Sequence, residues 1–320
     1  MRRWRRAERV RRGVDLAARV GELALRAPVL TASGTAGHGA ELAPYGRLGD
    51  LGAVVVKSLA AFAWEGNPAP RLHAVERGML NSVGLQGPGL AAWLAGELPE
   101  LEAAGATVVA SVWGRTVDEY AEAAELLARA PASVAAVEVN LSCPNLRGKG
   151  MFAQSATATR EAMAATAACS RPRWAKLTAA VADLPEIAAA AAEGGAAAVT
   201  LVNTLPAMAL DLETRRPVLG AGGGGLSGAG IHPVAVRAVW DVHAAHPDLA
   251  IVGAGGVWRG TDAVELLLAG ASAVQVGTAT FADPRAPWQV LAEVVAWCEH
   301  RGVRSIAELV GAAHDREARP

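Results

Sequence analysis

"WAKLTAAVADLPEIAAAAAEGGAAAVTLVN", residues 174–203, reads as one strand, one helix and a second strand. Its two ends are short apolar runs of strand length, whereas its middle is rich in alanine and glutamate. Asp183 stands where a helix N-cap is expected, and Gly194 and Gly195 follow the helix, where glycine accepts a left-handed backbone. Two strands connected through a helix are expected to lie parallel in one sheet.

The same unit repeats along the chain. Eight strand-like runs occur: Pro28–Ser33, Ala53–Ser58, Thr107–Val112, Val134–Asn140, Trp174–Thr178, Ala198–Asn203, Leu249–Ala254 and Ser272–Gly277. Helical segments separate most of them: Leu90–Ala104, Val117–Ala130, Ala158–Cys169, Leu184–Glu193, Pro233–Ala245, Asp262–Ala269 and Pro287–His300. Thr116 and Thr261 are further expected N-caps. The alternation predicts an α/β protein with a closed (β/α)8, or TIM, barrel; a doubly wound open sheet is the alternative.

Two connections in this pattern are unusually long. Leu59–Gly89 follows the second predicted strand, and Thr204–His232 follows the sixth. Long loops in a compact barrel are usually functional. We therefore expect both loops to contribute to a site.

Composition indicates a cytoplasmic globular protein. Hydrophobic residues make up 52% of the 320 residues and aromatic residues 4%, so small aliphatic side chains supply most of the core. No apolar run approaches the roughly 20 residues that span a bilayer, and none near the N-terminus resembles a secretory signal. The three cysteines, Cys143, Cys169 and Cys298, are far apart and odd in number, which argues against a disulfide framework.

Charge is concentrated at the N-terminus. Residues 1–12 contain seven arginines and one glutamate, while the rest of the chain is mildly acidic and has no basic stripe for nucleic acid. We expect a flexible basic tail at residues 1–12 and one barrel domain at residues 13–320. The alternative for the tail is an arm that contacts anionic lipid, RNA or an acidic partner.

Polar and glycine residues stand at the ends of seven predicted strands. They are Ser33-Gly34, Lys57-Ser58, Asn140 with Cys143, Lys176, Asn203-Thr204, Gly255-Gly256 and Gly277-Thr278. Active sites of (β/α)8 barrels lie at the carboxyl ends of the strands, and the turns after strands 7 and 8 often bind phosphate. Glycine there lets backbone N–H groups approach the anion. The pattern predicts a phosphate-bearing ligand; tight turns with no ligand are the alternative.

Six motifs in these positions resemble one known family. They are NSVGLQGPG (81–89), NLSCPN (140–145), VNT (202–204), GGLSGAGIHPVAVR (224–237), IVGAGGV (251–257) and ASAVQVGTATF (271–281). In this order they are similar to the class 1 dihydroorotate dehydrogenases, FMN-dependent barrels of pyrimidine biosynthesis. The resemblance runs from about Leu23 to Ala296 and leaves the basic tail outside.

The resemblance implies a reaction and a set of roles. Dihydroorotate is oxidised to orotate: Cys143 removes the C5 proton, the C6 hydride passes to flavin N5, and Lys57 contacts flavin and substrate. The implied substrate-binding residues are Lys57, Asn81, Gly84, Leu85, Asn140, Asn203 and Thr204. The implied FMN-binding residues are Ala32, Ser33, Gly34, Lys57, Ser58, Asn140, Lys176, Gly228, Gly255, Gly256, Gly277 and Thr278. No metal is expected.

Within class 1, residues 84–86 (GLQ) and 203–204 (NT) resemble the heteromeric, NAD-linked subtype, class 1B. That subtype pairs with an electron-transfer subunit carrying FAD and a [2Fe–2S] cluster, and a homodimer of the catalytic chain is expected. The segment Asn145–Gly150 is expected to act as a lid.

The sequence departs from the family at two sites, with Gly87 where the family usually has asparagine and Ala179-Ala180 where it has Pro-Asn. Three alternatives therefore stay open. The chain could act on another dihydropyrimidine-like substrate, or be a flavin-free phosphate-binding lyase or isomerase with Lys176 as Schiff-base former. The third alternative is a non-enzymatic scaffold.

Overall fold

A computed structural model describes residues 13–142 and 150–315. The basic tail at residues 1–12, Cys143 and most of the expected lid at residues 145–150 lie outside these ranges. The expectations for them therefore remain predictions from the sequence.

Eight parallel strands form the predicted barrel and follow one another around it in chain order. They are β1 (Val29–Thr31), β2 (Val54–Val55), β3 (Val108–Val112), β4 (Val134–Asn140), β5 (Arg173–Lys176), β6 (Ala198–Leu201), β7 (Ala250–Ala254) and β8 (Ala273–Val276). β8 pairs with β1, and the backbone N–H of Thr31 donates to the Ala53 carbonyl (3.3 Å) at the seam between β1 and β2. The Thr31 hydroxyl accepts the Val55 N–H at 2.9 Å. The (β/α)8 prediction is confirmed, and the open sheet is wrong.

Helices cover the outside of the barrel. They are α1 (Leu90–Ala95), α2 (Glu97–Ala103), α3 (Val117–Leu127), α4 (Ala156–Ala165), α5 (Leu184–Glu193), α6 (His232–Ala245), α7 (Gly260–Leu268), α8 (Ala279–Ala282) and α9 (Ala286–Arg301). The N-caps Thr116 and Asp183 are confirmed by their bonds to the N–H groups three residues later. The N-cap at Thr261 is wrong. The Asp262 carboxylate accepts the N–H groups of Trp258 and Arg259, so α7 already begins at Gly260.

An antiparallel hairpin closes the amino end of the barrel. It consists of Ala18–Val20 and Leu23–Leu25, which precede β1. Val20 and Leu25 belong to one buried apolar cluster with Leu30 of β1 and Trp174 of β5, and Trp174 is completely buried. This apolar plug leaves the carboxyl ends of the strands as the open side.

The two long loops meet in a four-stranded antiparallel sheet, which we call the cap sheet. Its strands, in spatial order, are Leu205–Ala207, Gly224–Ser227, Gly78–Asn81 and Leu72–Val75. Two strands come from the loop after β2 and two from the loop after β6. A short hairpin of Leu210–Asp211 and Arg216–Pro217 extends from the second loop. The loops predicted to be functional therefore form one structure.

Candidate active site

A cavity of about 690 Å³ lies between the carboxyl ends of the strands and the cap sheet. Every predicted site residue that the structure describes lines it. On the strand ends these are Ala32, Ser33, Gly34, Lys57, Ser58, Asn140, Lys176, Asn203, Thr204, Gly255, Gly256, Gly277 and Thr278; on the loops they are Asn81, Gly84, Leu85 and Gly228. Residues scattered over most of the chain are thus brought to one place, while Cys143 lies outside the described residues.

Asn140 is the centre of a buried polar cluster at the base of the cavity. Its Nδ2 donates to Ser58 Oγ at 3.1 Å, and its Oδ1 accepts from Asn203 Nδ2 at 3.2 Å and from Ser142 Oγ at 3.3 Å. Asn203 Nδ2 also donates to Ser142 Oγ at 2.8 Å, and Ser58 Oγ lies 2.8 Å from Ser111 Oγ. These bonds fix the orientations of the Asn140 and Asn203 side-chain amides. One Nδ2 hydrogen of Asn140 has no acceptor among the described residues, so it can serve a ligand.

The cap sheet places Asn81 and Thr204 at the other side of the cavity. Asn81 Nδ2 donates to the Gly225 carbonyl at 3.2 Å. A Cβ at Gly225 would lie 2.0 Å from Thr204 Oγ1, so glycine is needed for Thr204 to pack against this strand. The Thr204 N–H donates to Asn203 Oδ1 at 2.8 Å, which leaves the Asn203 Nδ2 group facing Asn140.

Glycine turns after β7 and β8 form a third wall. Gly256 has φ 69°, and a Cβ there would lie 2.6 Å from His232 Cβ, the first residue of α6. The His232 ring nitrogen Nδ1 lies 2.9 Å from the Gly255 carbonyl and anchors the turn. Within the described residues, the N–H groups of Gly256, Gly277 and Thr278 donate to no protein acceptor. Unpaired N–H groups beside glycines suit an anion such as phosphate.

Arg71 holds the loop that carries Gly84 and Leu85. Its guanidinium donates to the Asn67 carbonyl at 2.5 Å, to Gln86 Oε1 at 2.6 Å and to the Glu65 carbonyl at 2.9 Å. Sequence reasoning did not single out Arg71, because its partners are mostly backbone carbonyls that no motif records.

Of the two lysines that line the cavity, Lys176 lies between a carboxylate and an amide, and Lys57 lies near an imidazole. Lys176 Nζ lies 3.0 Å from Glu138 Oε1 and 3.1 Å from Gln275 Oε1. Sequence reasoning missed Glu138 and Gln275, although a charged or amide side chain inside an apolar strand was a usable signal. Around Lys57, burial and the lysine's positive charge lower the pKa of the His38 imidazole.

Both departures from the family pattern lie away from the cavity wall. Gly87 exchanges two backbone bonds with Trp64 (2.9 and 3.0 Å), and a Cβ at Gly87 would lie 3.4 Å from His38 Nε2. The Ala180 N–H donates to Thr178 Oγ1 at 3.1 Å. Neither Gly87 nor Ala179-Ala180 is among the described residues that line the cavity.

The part of the chain that the structure describes contains no helix with the length and hydrophobicity needed to cross a bilayer. Over the same residues, no three histidine, cysteine or carboxylate side chains cluster in a way that could hold a metal ion.

Comparison with known proteins gives a consistent result. Residues 15–297 match the model of the family described as dihydroorotate dehydrogenase. The chain is 47% identical over 309 residues to the "Dihydroorotate dehydrogenase B (NAD(+)), catalytic subunit" of Desulforudis audaxviator, covering 94% of this chain and 98% of the relative. The protein of the same name from Geobacter metallireducens is 42% identical, covering 93% and 98%, and that from Trichlorobacter lovleyi is 43% identical, covering 92% and 96%.

Proposed function

Since the chain belongs to the dihydroorotate dehydrogenase family, we propose that it oxidises dihydroorotate to orotate with FMN, in the biosynthesis of pyrimidines. The enzyme is an oxidoreductase that acts on a CH–CH bond, and its similarity to the NAD-linked subtype, class 1B, is confirmed. The observation that carries the proposal is the cavity of about 690 Å³, which is lined by all the described residues predicted for cofactor and substrate. This volume is typical of small-molecule sites.

The glycine wall fits the phosphate end of FMN. The N–H groups of Gly256, Gly277 and Thr278 would hold the phosphate, because none of them has a protein acceptor among the described residues. Ala32, Ser33, Gly34, Ser58 and Lys176 line the cavity toward β1, β2 and β5 and would hold the ring system, with Gly228, which directly follows the Gly224–Ser227 strand of the cap sheet. When bound, FMN supplies the acceptor for the hydride that leaves C6 of the substrate.

The amide residues fit the pyrimidine. Asn140 keeps one Nδ2 hydrogen as a donor, Asn203 keeps acceptor capacity at Oδ1, and Asn81 offers one Nδ2 hydrogen and its Oδ1, which together match the amide edges of a dihydropyrimidine. The bond between Asn140 and Asn203 and the bond from Asn81 to the Gly225 carbonyl orient these groups before the substrate arrives. Lys57 lines the same cavity and would offset the substrate carboxylate.

We assign the base to Cys143, one residue after Ser142. Ser142 is buried and bonded to both Asn140 and Asn203, so the chain enters residue 143 from a fixed point beside the proposed pyrimidine site. The base takes the proton from C5 while the two electrons of the C6–H bond leave as hydride, and the C5–C6 double bond of orotate forms. A thiol with an ordinary pKa of about 8.5 is partly thiolate near neutral pH.

Relatives named catalytic subunits point to an electron-transfer partner. We propose that this chain forms a homodimer in the cytoplasm and passes its electrons to a subunit that carries FAD and a [2Fe–2S] cluster and uses NAD. Co-purification of a second chain with iron and acid-labile sulfide would support the assignment, and a chain that reoxidises fully with fumarate alone would contradict it.

The alternative functions have less support. A Schiff-base lyase or isomerase needs a neutral, accessible amine, whereas Lys176 is 6% exposed and paired with the Glu138 carboxylate. A changed dihydropyrimidine substrate would be expected to alter the cavity wall, but Gly87 and Ala179-Ala180 lie outside it. Neither departure therefore favours a different reaction.

The purified protein is expected to be yellow, and anaerobic dihydroorotate should bleach its flavin absorbance. Dihydrouracil is the matched control, because it has the same ring without the carboxylate and should bleach the flavin far more slowly. A colourless protein that cannot be loaded with FMN would contradict the proposal. A yellow protein that dihydroorotate fails to bleach would keep the cofactor and discard the substrate.

Replacing Asn203 by alanine is expected to weaken orotate binding about 5- to 150-fold, because the substrate loses a partner in a buried site. The FMN content should stay unchanged. Titration of the flavin spectrum with orotate measures the affinity, and Gln289→Ala on the exposed side of α9 is the control. Unchanged orotate affinity with a loss of FMN would place Asn203 on the cofactor side instead.

A further inference from the structure

Four side chains inside the barrel form a hydrogen-bonded cluster, which we call the interior ring because three of them, Glu138, Lys176 and Gln275, bond in a closed cycle. It consists of Glu138 (β4), Lys176 (β5), Thr200 (β6) and Gln275 (β8). Lys176 Nζ donates to Glu138 Oε1 (3.0 Å) and Gln275 Oε1 (3.1 Å), while Glu138 Oε2 accepts from Thr200 Oγ1 (3.0 Å) and Gln275 Nε2 (2.6 Å). Lys176 and Gln275 line the cavity, and Glu138 lies behind them.

Within the interior ring, Glu138 and Lys176 form a buried ion pair whose carboxylate is fully hydrogen-bonded. The Glu138 side chain is fully buried, accepts three bonds and donates none, as an ionised carboxylate does. A buried carboxylate is tolerated only when it is paired and hydrogen-bonded, and both conditions hold here. The charge of Lys176 is therefore opposed by a full negative charge at contact distance.

The side-chain amide of Gln275 can adopt only one of its two orientations between Lys176 and Glu138. Its oxygen faces the Lys176 ammonium and its NH₂ group faces the Glu138 carboxylate, so rotating the amide by half a turn would oppose like groups at both ends. Lys176 Nζ has three hydrogens, and two of them are held by the ring. The third is the one available to a ligand in the cavity that Lys176 lines.

We propose that Glu138 is a positioning residue for the flavin reaction: it holds the Lys176 ammonium at the cavity wall and cancels part of the charge that the bound flavin experiences. The inference rests on the proposed function, because it concerns FMN in this cavity. Reduction adds negative charge to a flavin, so the net charge of the interior ring sets how readily the bound cofactor is reduced.

The test is the two-electron midpoint potential of the bound FMN in a charge series, measured with reference dyes on the purified, FMN-loaded chain. Glu138→Gln should favour reduction by about tenfold, close to 30 mV for a two-electron couple. Lys176→Met should disfavour reduction by at least as much.

The double variant with both changes should return near the wild-type potential, because its ring is again neutral. The control Thr200→Val removes one bond and no charge, so its reduction equilibrium should shift by no more than about twofold, close to 10 mV.

Other outcomes separate the two proposals. Equal potentials across the series, or a lower potential in Glu138→Gln, would overturn the role of Glu138 while leaving the flavin in place. If Glu138→Gln does not fold, Lys176→Met and the double variant still decide the matter, because removing the carboxylate must raise the potential of the Lys176→Met protein. A wild-type chain that binds no FMN would overturn the proposed function itself.

Discussion

Flavin reduction by dihydroorotate is expected to slow by about 10²- to 10⁴-fold when Cys143 is replaced by alanine, which is the usual contribution of a general base. Alanine offers no acceptor for the C5 proton, so hydride transfer from C6 loses its accompanying deprotonation. The residues proposed to hold FMN are unchanged, and the variant should stay yellow. Anaerobic stopped-flow spectroscopy of the flavin absorbance measures the rate directly.

Cys298→Ala is the matched control for this experiment. Cys298 is a buried thiol on α9 that does not line the cavity, so its loss should leave the reduction rate unchanged. A Cys143→Ala protein that is reduced at the wild-type rate would show that Cys143 is not the base. A variant that loses FMN as well would move Cys143 from proton transfer to cofactor binding.

Trp174→Ala is expected to lower the free energy of unfolding by about 3–5 kcal/mol, the cost of removing a large aromatic side chain from a packed core. Trp174 is completely buried among Val20, Leu25 and Leu30 at the amino end of the barrel. The cavity left behind cannot collapse easily, because strands surround it on every side. The midpoint of thermal unfolding should fall by roughly 4–8 °C, given the unfolding entropy of a chain of this length.

Trp174→Phe is the comparison variant, because it removes the indole N–H but keeps most of the buried aromatic volume that Trp174→Ala removes. The indole Nε1 is buried and has no hydrogen-bond partner among the described residues, so phenylalanine removes no bond. Its cost should be well below that of alanine. If both variants are destabilised equally, indole shape rather than buried volume stabilises this end of the barrel.

The regular part of the fold could be predicted because its signals are local. β4 occupies the predicted Val134–Asn140 and α5 the predicted Leu184–Glu193, since each has a clear apolar pattern and a recognisable end. The general rule that barrel sites lie at strand carboxyl ends then located Lys57, Asn140 and Asn203 without any distance information.

The parts that escaped prediction depend on distant partners or on competition between neighbouring groups. Pairing of the two long loops in the cap sheet joins segments that no short-range pattern connects. The Glu138–Lys176 pair spans two strands, and only their relative positions inside the barrel reveal it. The wrong N-cap at Thr261 reflects a choice between adjacent capping side chains, which the Asp262 carboxylate decides.

The cap sheet also has a consequence for the order of folding. The bond between Asn81 and Gly225 joins positions 144 residues apart, so the pairing it belongs to closes a very long loop. Such non-local pairing is slow because loop-closure entropy opposes it. We therefore expect the cap sheet to form late in folding, and a chain that ends before residue 225 lacks most of the Gly224–Ser227 strand, which joins the two loops. The proposed FMN is accordingly expected to bind only after this sheet has formed.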